Sequence, residues 1–326
     1  MIMDVAEETH RAEKRIRPHI RETPLEPSSY LSKTGRCRVQ LKLETFQHSG
    51  SFKARGALSK YLSLKDSERQ KGIITASSGN HASAVAYVLH RFAGKGTIYL
   101  PHSTPKAKVD LLRMYGAELE FYGEFSVETE VHAQKVAQKQ GRVYISPYND
   151  LKVIGGQGTI GIELLQRAKT IDSVLVPIGG GGLIAGIGGY LKSVKSGIEI
   201  IGCETENSPA MSESVKAGRI IAVPYMPTLA DGTVGGLEQG SITFELCRDI
   251  VDDYIIVSED EMAHAIRLIL EKHSLLLEGS AAMPVAAFLK QKDRFEGKNV
   301  VLILTSSKID FDTLKDILCS SKKLKD

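Results

Sequence analysis

One lysine of this sequence, Lys53, stands where a free amine is favoured. It belongs to the stretch QHSGSFKARGA (residues 47–57), after which apolar residues recur with the spacing of one helical stripe. We expect Ser49 or Ser51 to cap that helix, which puts Lys53 in its first turn. The unpaired amides there carry partial positive charge and disfavour a second cation, so the lysine is biased toward the neutral amine that Schiff-base formation requires. A lone lysine is more often a solvated surface residue, so other stretches must decide between the two roles.

A polar stretch, SSGNH at residues 77–81, directly follows the apolar run 73–76 and opens a predicted helix. Amides at a helix start, together with neighbouring hydroxyls, suit an anion such as a substrate carboxylate. Ordinary capping of the helix by Ser or Asn explains the same residues without any ligand.

Residues 179–182 are four consecutive glycines between the apolar run 173–178 and a predicted helix. Glycine lets the backbone wrap around a phosphate, and the helix dipole adds to the attraction. The spacing of Gly180, Gly182 and Ala185 also fits a dinucleotide fingerprint, in which Glu204 would bind the ribose. An enzyme that binds a nicotinamide dinucleotide is therefore an alternative from another class.

The fourth stretch is Thr305-Ser306-Ser307, at the end of the last apolar run. A hydroxyl there can meet the nitrogen of a heterocycle, although satisfying a strand-end backbone group is the plainer role. A lysine that forms an imine, an anion site, a phosphate loop and a hydroxyl for a ring nitrogen are together what pyridoxal phosphate carrying an amino acid needs. A bound dinucleotide would explain only the four glycines and none of the other three stretches.

The elements that must hold these four stretches alternate between short apolar runs and helical patterns. The runs lie at residues 73–76, 97–101, 117–122, 143–147, 173–178, 198–203, 254–257 and 299–305. This alternation predicts an α/β fold, in which open parallel sheets carry helices on both faces. In such sheets ligands lie beyond the carboxyl ends of the strands, where all four stretches fall.

The composition indicates a soluble, folded globular protein. Of 326 residues, 42% are hydrophobic and 25% charged, and the net charge of +3 is spread along the chain, so neither nucleic acid nor membrane is expected as a partner. The four cysteines are too far apart in sequence for a metal or redox pair, which favours a reducing compartment. The charged N-terminus lacks the apolar segment of a signal peptide, so we expect a cytoplasmic protein with a polar C-terminal tail, SSKKLKD.

Four motifs carry a resemblance to a known family. SGSFKARGA, SSGNHA, GGQGT (residues 155–159) and PIGGGGL, in this order, resemble the motifs of the threonine/serine dehydratase and serine racemase family of fold-type II pyridoxal-phosphate enzymes. The similarity runs from about Thr23 to Asp310, and it is to the short, catabolic enzymes of this group. It implies their two-domain α/β fold, which is like that of the tryptophan synthase β subunit, and it also implies a homodimer.

The resemblance also implies where the boundaries between the two domains lie. A large cofactor-binding domain would comprise residues 1–71 and 150–326, and a small α/β domain, residues 72–149, would be inserted between them. The cofactor would lie in the cleft between the two domains.

The resemblance also implies roles for individual residues. Lys53 would bind the cofactor covalently and act in catalysis together with Ser78. Asn80 would hydrogen-bond the ring hydroxyl, and Thr305 would meet the pyridine nitrogen. The implied cofactor-binding residues are Phe52, Lys53, Asn80, Gly179, Gly180, Gly181, Gly182, Leu183, Gly232 and Thr305. The implied substrate-binding residues are Ser77, Ser78, Asn80 and His81.

The sequence departs from the family pattern in two places. A Gly-Gly-Asn usually follows the residue that contacts the pyridine, and here residues 306–308 are Ser-Ser-Lys. Thr305 keeps the hydroxyl, but the added lysine changes the local charge. The metal-binding pattern of many relatives falls on Glu204, Ser208 and Ala210, where the last carboxylate is missing, so we expect no metal site.

The predicted activity is the β-elimination of L-threonine, L-serine or a similar β-hydroxy amino acid to a 2-oxo acid and ammonia. Lys53 would take the α-proton as general base. The main alternative is a serine racemase, or an enzyme with both activities, in which Ser78 would return a proton on the opposite face. A dinucleotide-binding enzyme and a catalytically silent binding protein are remoter alternatives.

Overall fold

The computed structural model describes residues 1–319, which contain ten β-strands and fourteen α-helices. The strands are β1 Leu25–Pro27, β2 Arg38–Leu43, β3 Ile73–Ala76, β4 Gly96–Leu100, β5 Glu118–Phe121, β6 Val143–Tyr144, β7 Ser173–Pro177, β8 Glu199–Thr205, β9 Asp253–Val257 and β10 Asn299–Leu304. The helices are α1 Ile2–Ile16, α2 Ser29–Gly35, α3 Lys53–Ser63, α4 Asp66–Lys71, α5 Asn80–Arg91, α6 Lys106–Met114, α7 Ser126–Gln140, α8 Leu151–Arg167, α9 Gly182–Val194, α10 Ala210–Lys216, α11 Ile242–Ile250, α12 Glu259–His273, α13 Gly279–Lys290 and α14 Phe311–Cys319. The predicted polar tail, residues 320–326, lies outside the described residues.

Six strands form the larger sheet, in the order β1-β2-β10-β7-β8-β9. β1 runs antiparallel to β2, and every other pair of neighbours is parallel. β7 is buried along its whole length, as expected of a strand covered on both faces. Residues of α12 and α13 form the hydrophobic core on one face, and residues of α8, α9 and α11 form the core on the other.

Four parallel strands form the smaller sheet, in the order β5-β4-β3-β6. Residues of α3 and α5 pack against one face, and α7 packs against the other. The predicted fold class, open parallel sheets with helices on both faces, is confirmed. The division into two domains at residues 72–149 stays a prediction. Within residues 1–319, no helix has the length and apolar content needed to cross a membrane.

The helix that carries Lys53 begins at that residue, so the prediction that Lys53 lies in a first turn is confirmed. The predicted serine cap is wrong, because the N-cap is Phe52 and no side chain caps the helix. Ser51 is extended and forms an isolated antiparallel bridge with Ser306. The Phe52 amide donates to the Thr305 carbonyl oxygen at 3.2 Å. The backbone before Lys53 is therefore joined to the end of β10.

A network of buried ion pairs anchors the start of α3. The Arg55 guanidinium donates to the carboxylates of Glu44 and Glu163, and the Lys42 ammonium donates to Glu163. All four side chains are fully buried. Because Arg55 lies two residues after Lys53, these ion pairs fix the first turn of α3 against β2 and α8.

Candidate active site

The carboxyl ends of strands from both sheets face one cavity. Residues that follow β3, β6, β7 and β10 line it, together with the first turn of α3. All of the site residues predicted from the sequence line this cavity: Phe52, Lys53, Ser77, Ser78, Asn80, His81, Gly179, Gly180, Gly181, Gly182, Leu183, Gly232 and Thr305. The structure therefore brings the four stretches together, as the position of ligands in parallel sheets predicts.

The Lys53 ammonium lies in the wall of the cavity. Its Nζ donates to the Pro147 carbonyl oxygen at 2.7 Å and lies 5.1 Å from the centre of the Phe52 ring. Burial lowers the pKa of Lys53 to about 8, although Glu130 and Glu278 oppose the shift. At pH 7 about a tenth of such amines are neutral, against fewer than one in a thousand for an exposed lysine. The amine is thus suited to attack an aldehyde.

The glycine loop has no room for side chains. A Cβ at Gly180 would lie 2.4 Å from the Tyr148 ring, and one at Gly179 would lie 2.9 Å from Thr233. Gly181 has a φ of +83°, which other residues rarely adopt, and it precedes the first residue of α9. The loop therefore presents bare backbone amides and a helix N-terminus to the cavity, an arrangement that binds a phosphate.

The start of α5 supplies an anion site through its backbone rather than through its histidine. The His81 ring lies 3.1 Å from the Ile145 carbonyl oxygen through Nε2, and its buried Nδ1 has no hydrogen-bond partner among residues 1–319. Burial and the Lys53 charge lower the pKa of His81 to about 3, so the ring is neutral. Nε2 then carries the proton, because it faces a carbonyl oxygen, and Nδ1 is left as an acceptor. His81 can therefore bind a carboxylate with its backbone N–H, beside the Ser77 and Ser78 hydroxyls.

Asn80 is held by two neighbours on opposite sides of its amide. Its Nδ2 donates to both carboxylate oxygens of Glu278, at 2.9 and 3.0 Å. Its Oδ1 accepts a hydrogen bond from the Ser306 hydroxyl at 3.1 Å. The amide is therefore fixed in one orientation at the cavity wall. Burial raises the pKa of Glu278 to about 7, which the donors of Asn80 and Ser306 and the nearby Lys308 partly offset.

Two hydroxyls near the end of β10 lack partners within residues 1–319. Thr305 is 2% exposed, and its side chain makes no hydrogen bond. The Ser280 Oγ is buried and also unpartnered, and a Cβ added at Gly232 would lie 3.2 Å from it. Neither hydroxyl is engaged by a described residue, so both are free to serve a ligand that carries polar ring atoms.

Several polar lining residues were not anticipated from the sequence, and four of them bear on the chemistry. Glu130, Tyr148, Glu278 and Ser280 all face the cavity. Glu278 and Ser280 flank the start of α13, so a carboxylate and a hydroxyl before an apolar helix were a usable signal. Glu130 lies inside an amphipathic helix, where nothing local distinguishes it from a solvated side chain.

The Glu204 carboxylate is engaged by backbone amides. Its two carboxylate oxygens accept hydrogen bonds from the amides of Met211 and Ser212, each at 2.9 Å, and it is 1% exposed. It therefore caps α10. Among the described residues, no group of three or more His, Cys, Asp or Glu side chains could hold a metal ion.

The cavity offers a group that fits each part of pyridoxal phosphate: the glycine loop would suit the phosphate, the free hydroxyls would suit the ring, and the Lys53 amine would suit the aldehyde. Fold and site together are those of a fold-type II enzyme that uses this cofactor.

The chain belongs to the family described as "Pyridoxal-phosphate dependent enzyme", whose model matches residues 16–306. It is 37% identical to the L-threonine ammonia-lyase of Thermotoga maritima over 97% of this chain and 78% of that protein. It is also 37% identical to the catabolic L-threonine dehydratase TdcB of Escherichia coli K12, over 94% of this chain and 93% of that protein. The solved structure of maize serine racemase matches with a TM-score of 0.90 and 32% identity, over 96% of each chain. The predicted family, fold class, cofactor and enzyme class, an ammonia-lyase, are confirmed.

Proposed function

We propose that this protein removes the β-hydroxyl and the amino group from L-threonine or L-serine, giving a 2-oxo acid and ammonia. The observation that carries the proposal is the enclosed Lys53 amine, which faces the glycine loop across one cavity. The names of the relatives with 37% identity, threonine ammonia-lyase and threonine dehydratase, support this activity over the alternatives.

The cofactor contacts that we propose follow the cavity wall. The loop Gly179–Gly182 with the Leu183 amide would hold the phosphate, because its amides face the cavity at the start of α9. Asn80 would hydrogen-bond the ring hydroxyl, and Thr305 would meet the pyridine nitrogen. Phe52 and Gly232 would border the ring, and the free Ser280 hydroxyl lies beside Gly232.

The residues of this chain then have distinct tasks in the reaction. When bound, pyridoxal phosphate serves as an electron sink for the bond from Cα to hydrogen. The amides at the start of α5 and the hydroxyls of Ser77 and Ser78 orient the substrate carboxylate. The Lys53 Nζ would take the α-proton of the substrate as general base.

Serine racemisation is the second candidate, and one observation favours it. The Ser78 hydroxyl lines the cavity and makes no hydrogen bond with any residue in the range 1–319, so it is free to act on a proton. The match to maize serine racemase supports the same candidate. A Ser78→Ala variant separates the two. Loss of enantiomer exchange with retained formation of 2-oxo acid identifies Ser78 as an acid, whereas equal changes in both activities identify a carboxylate anchor.

The proposed function is tested first by the location of the cofactor. Purified protein should be yellow, and borohydride should bleach it and fix one cofactor on Lys53, as mass analysis of peptides would show. Lys53→Ala should lose both the colour and the activity, and the exposed Lys95→Ala should keep both. A panel of β-hydroxy amino acids in both configurations, assayed for 2-oxo acid, then ranks the substrates. Cofactor fixed on another lysine, or none bound, would refute the proposal.

We also propose a homodimer in the cytoplasm that acts on a small amino acid. The family resemblance supports the dimer, and the four unpaired thiols, at Cys37, Cys203, Cys247 and Cys319, support a reducing compartment. Light scattering coupled to size-exclusion chromatography measures the oligomeric state directly, and a monomer would contradict the first part.

A further inference from the structure

Three residues from different elements form a closed ring of hydrogen bonds at the cavity wall. Asn80 begins α5, Glu278 directly precedes α13, and Ser306 lies two residues after β10. The Asn80 Nδ2 donates to the Glu278 carboxylate at 2.9 and 3.0 Å, and the Ser306 hydroxyl donates to Asn80 Oδ1 at 3.1 Å. The Glu278 backbone N–H closes the ring by donating to the Ser306 carbonyl oxygen at 3.2 Å. Each residue of the ring is therefore held by the other two.

The chemistry of the ring decides which end of the Asn80 amide faces Glu278. An ionised carboxylate only accepts hydrogen bonds, so it requires the NH2 end of the amide and repels the carbonyl end. The Ser306 hydroxyl both donates and accepts, so it would tolerate either end. Glu278, which is 4% exposed, is thus the residue that sets the orientation, and Ser306 adapts to it.

This geometry leaves one N–H bond of the Asn80 amide free. The two oxygens of a carboxylate subtend only about 45° at a nitrogen 2.9 or 3.0 Å away, whereas the two N–H bonds of an NH2 group diverge by about 120°. One N–H bond therefore points between the two Glu278 oxygens, and the other points elsewhere. Within residues 1–319 nothing accepts a hydrogen bond from that second N–H. Since Asn80 lines the cavity, the free N–H is available to a ligand there.

The charges around Glu278 leave it an anion at slightly alkaline pH. Burial raises the pKa of Glu278 to about 7, and Asp231 adds to the shift, while the hydrogen bonds of the ring and the Lys308 charge oppose it. Lys53 is a further cation that interacts with Glu278. At pH 8 most Glu278 side chains are therefore ionised.

We propose that Glu278 is a positioning residue, which presents the free N–H bond of Asn80 to the ring oxygen of the bound cofactor and so makes Asn80 a donor to that oxygen. This role rests on the proposed function, in which Asn80 contacts the ring hydroxyl. A donor at this place favours the ionised form of the ring oxygen, because a hydrogen bond to the charged form stabilises it. Glu278 acts on the cofactor through Asn80 and needs no contact with the ring.

The absorption spectrum of the bound cofactor at pH 8 tests this role. Glu278→Gln replaces one acceptor oxygen with a donor, so the Asn80 amide is no longer held in one orientation. The cofactor should then absorb at shorter wavelength, since its ring oxygen becomes protonated, and the apparent Kd for pyridoxal phosphate should rise about 2–10-fold. Glu271→Gln, the same exchange at an exposed site in α12, should leave both unchanged. A Glu278→Gln variant with the spectrum and Kd of the wild type overturns the proposal.

A double-mutant cycle separates a role through Asn80 from a merely structural one. Asn80→Ala removes the amide through which Glu278 acts. Glu278→Gln added to Asn80→Ala should therefore leave the spectrum and the apparent Kd as they are in Asn80→Ala alone. A second shift, as large as the one that Glu278→Gln causes in the wild type, overturns the proposal, because Glu278 would then act on the cofactor or the fold directly.

The Asn80 amide itself gives a readout in the cofactor-free protein. In protein labelled with ¹⁵N-asparagine, the side-chain amide resonance that is missing from Asn80→Ala belongs to Asn80. Its proton bonded to the Glu278 carboxylate should lie downfield, and Glu278→Gln should move it upfield. An Asn80 resonance that is the same in the wild type and in Glu278→Gln overturns the proposal.

Failure of this role is distinguishable from failure of the proposed function. A wild-type protein that fixes no cofactor on Lys53 refutes the function. A wild type that carries the cofactor on Lys53, with the same spectrum in its Glu278→Gln variant, refutes only the role of Glu278.

Discussion

The buried charges beneath the Lys53 helix lead to a quantitative prediction for Glu163→Gln. The Glu163 carboxylate accepts from Arg55 at 2.7 and 2.9 Å and from Arg17 at 2.9 Å, and Lys42 also donates to it. The substitution keeps the shape of the side chain and removes its charge. Lys42 and Arg55 then remain fully buried without the Glu163 carboxylate that pairs with both of them.

Two routes give the size of the effect. Removing one partner of a buried ion pair typically costs about 3–5 kcal/mol, since the remaining charge is uncompensated. The neighbouring cations lower the pKa of Glu163 from 4.5 to about 2. At 1.36 kcal/mol per pH unit, that difference corresponds to about 3 kcal/mol of stability at neutral pH. We expect Glu163→Gln to lower the free energy of unfolding by about 3 kcal/mol, which is a factor of about 100 in the unfolding equilibrium.

The pH dependence has a definite sign. A carboxyl whose folded pKa is depressed stabilises the protein above its unfolded pKa and loses that contribution as the pH falls through the folded value. The difference between wild type and Glu163→Gln should therefore be full above pH 4.5 and shrink as the pH falls toward about 2.

Urea unfolding followed by circular dichroism, at several pH values, measures this difference. Glu22→Gln is the matched control, because Glu22 pairs with Arg167 at an exposed site. There we expect a change of about 0–1 kcal/mol. If Glu163→Gln behaves like the exposed control at pH 7, or if its deficit is independent of pH, the buried network does not hold α3 as described.

Two further predictions concern the cofactor cavity. Gly180→Ala should weaken cofactor binding by about 1–3 kcal/mol, because the added Cβ would clash with the Tyr148 ring. Gly197→Ala is the control, since the added Cβ has open space around it and the variant should bind the cofactor normally. Equal cofactor affinity in the two variants would contradict the packing argument. Ser306→Gly removes the hydrogen-bond donor to Asn80 Oδ1. Spectral titration should show a shifted absorption maximum of the bound cofactor and binding that is weaker by about 0.5–1.5 kcal/mol. An unchanged spectrum and affinity would show that the Asn80 amide does not need Ser306.

The fold was largely predictable because its central strands are short and uniformly apolar. β3 was predicted with its observed bounds, and the predicted β7 and β10 runs each end one residue beyond the observed strand. β1 was missed, since it has three residues, pairs at an edge and contains Pro27. β6 was predicted too long, because after Tyr144 the chain leaves the sheet and carries Pro147 and Tyr148 to the cavity.

The sequence predicted the site only where the functional residues form a local sequence motif. Lys53 and the glycine loop carry their chemistry in adjacent residues, so sequence alone placed both. Glu130 and Glu278 reach the cavity from helices far along the chain, and their raised pKa values arise from burial, which no local pattern reports. The serine cap failed for a related reason, because Ser51 pairs with Ser306, a tertiary contact.

The central place of β10 in the larger sheet bears on how the chain folds during its synthesis. β2 and β7 do not pair with each other, because β10 lies between them. During translation the four-stranded sheet can assemble from one continuous segment, whereas β2 lacks its parallel partner until β10, which follows all the other described strands, has been made. Premature termination before Asn299 would leave two unjoined half-sheets with exposed apolar edges, a species prone to aggregate or to be degraded.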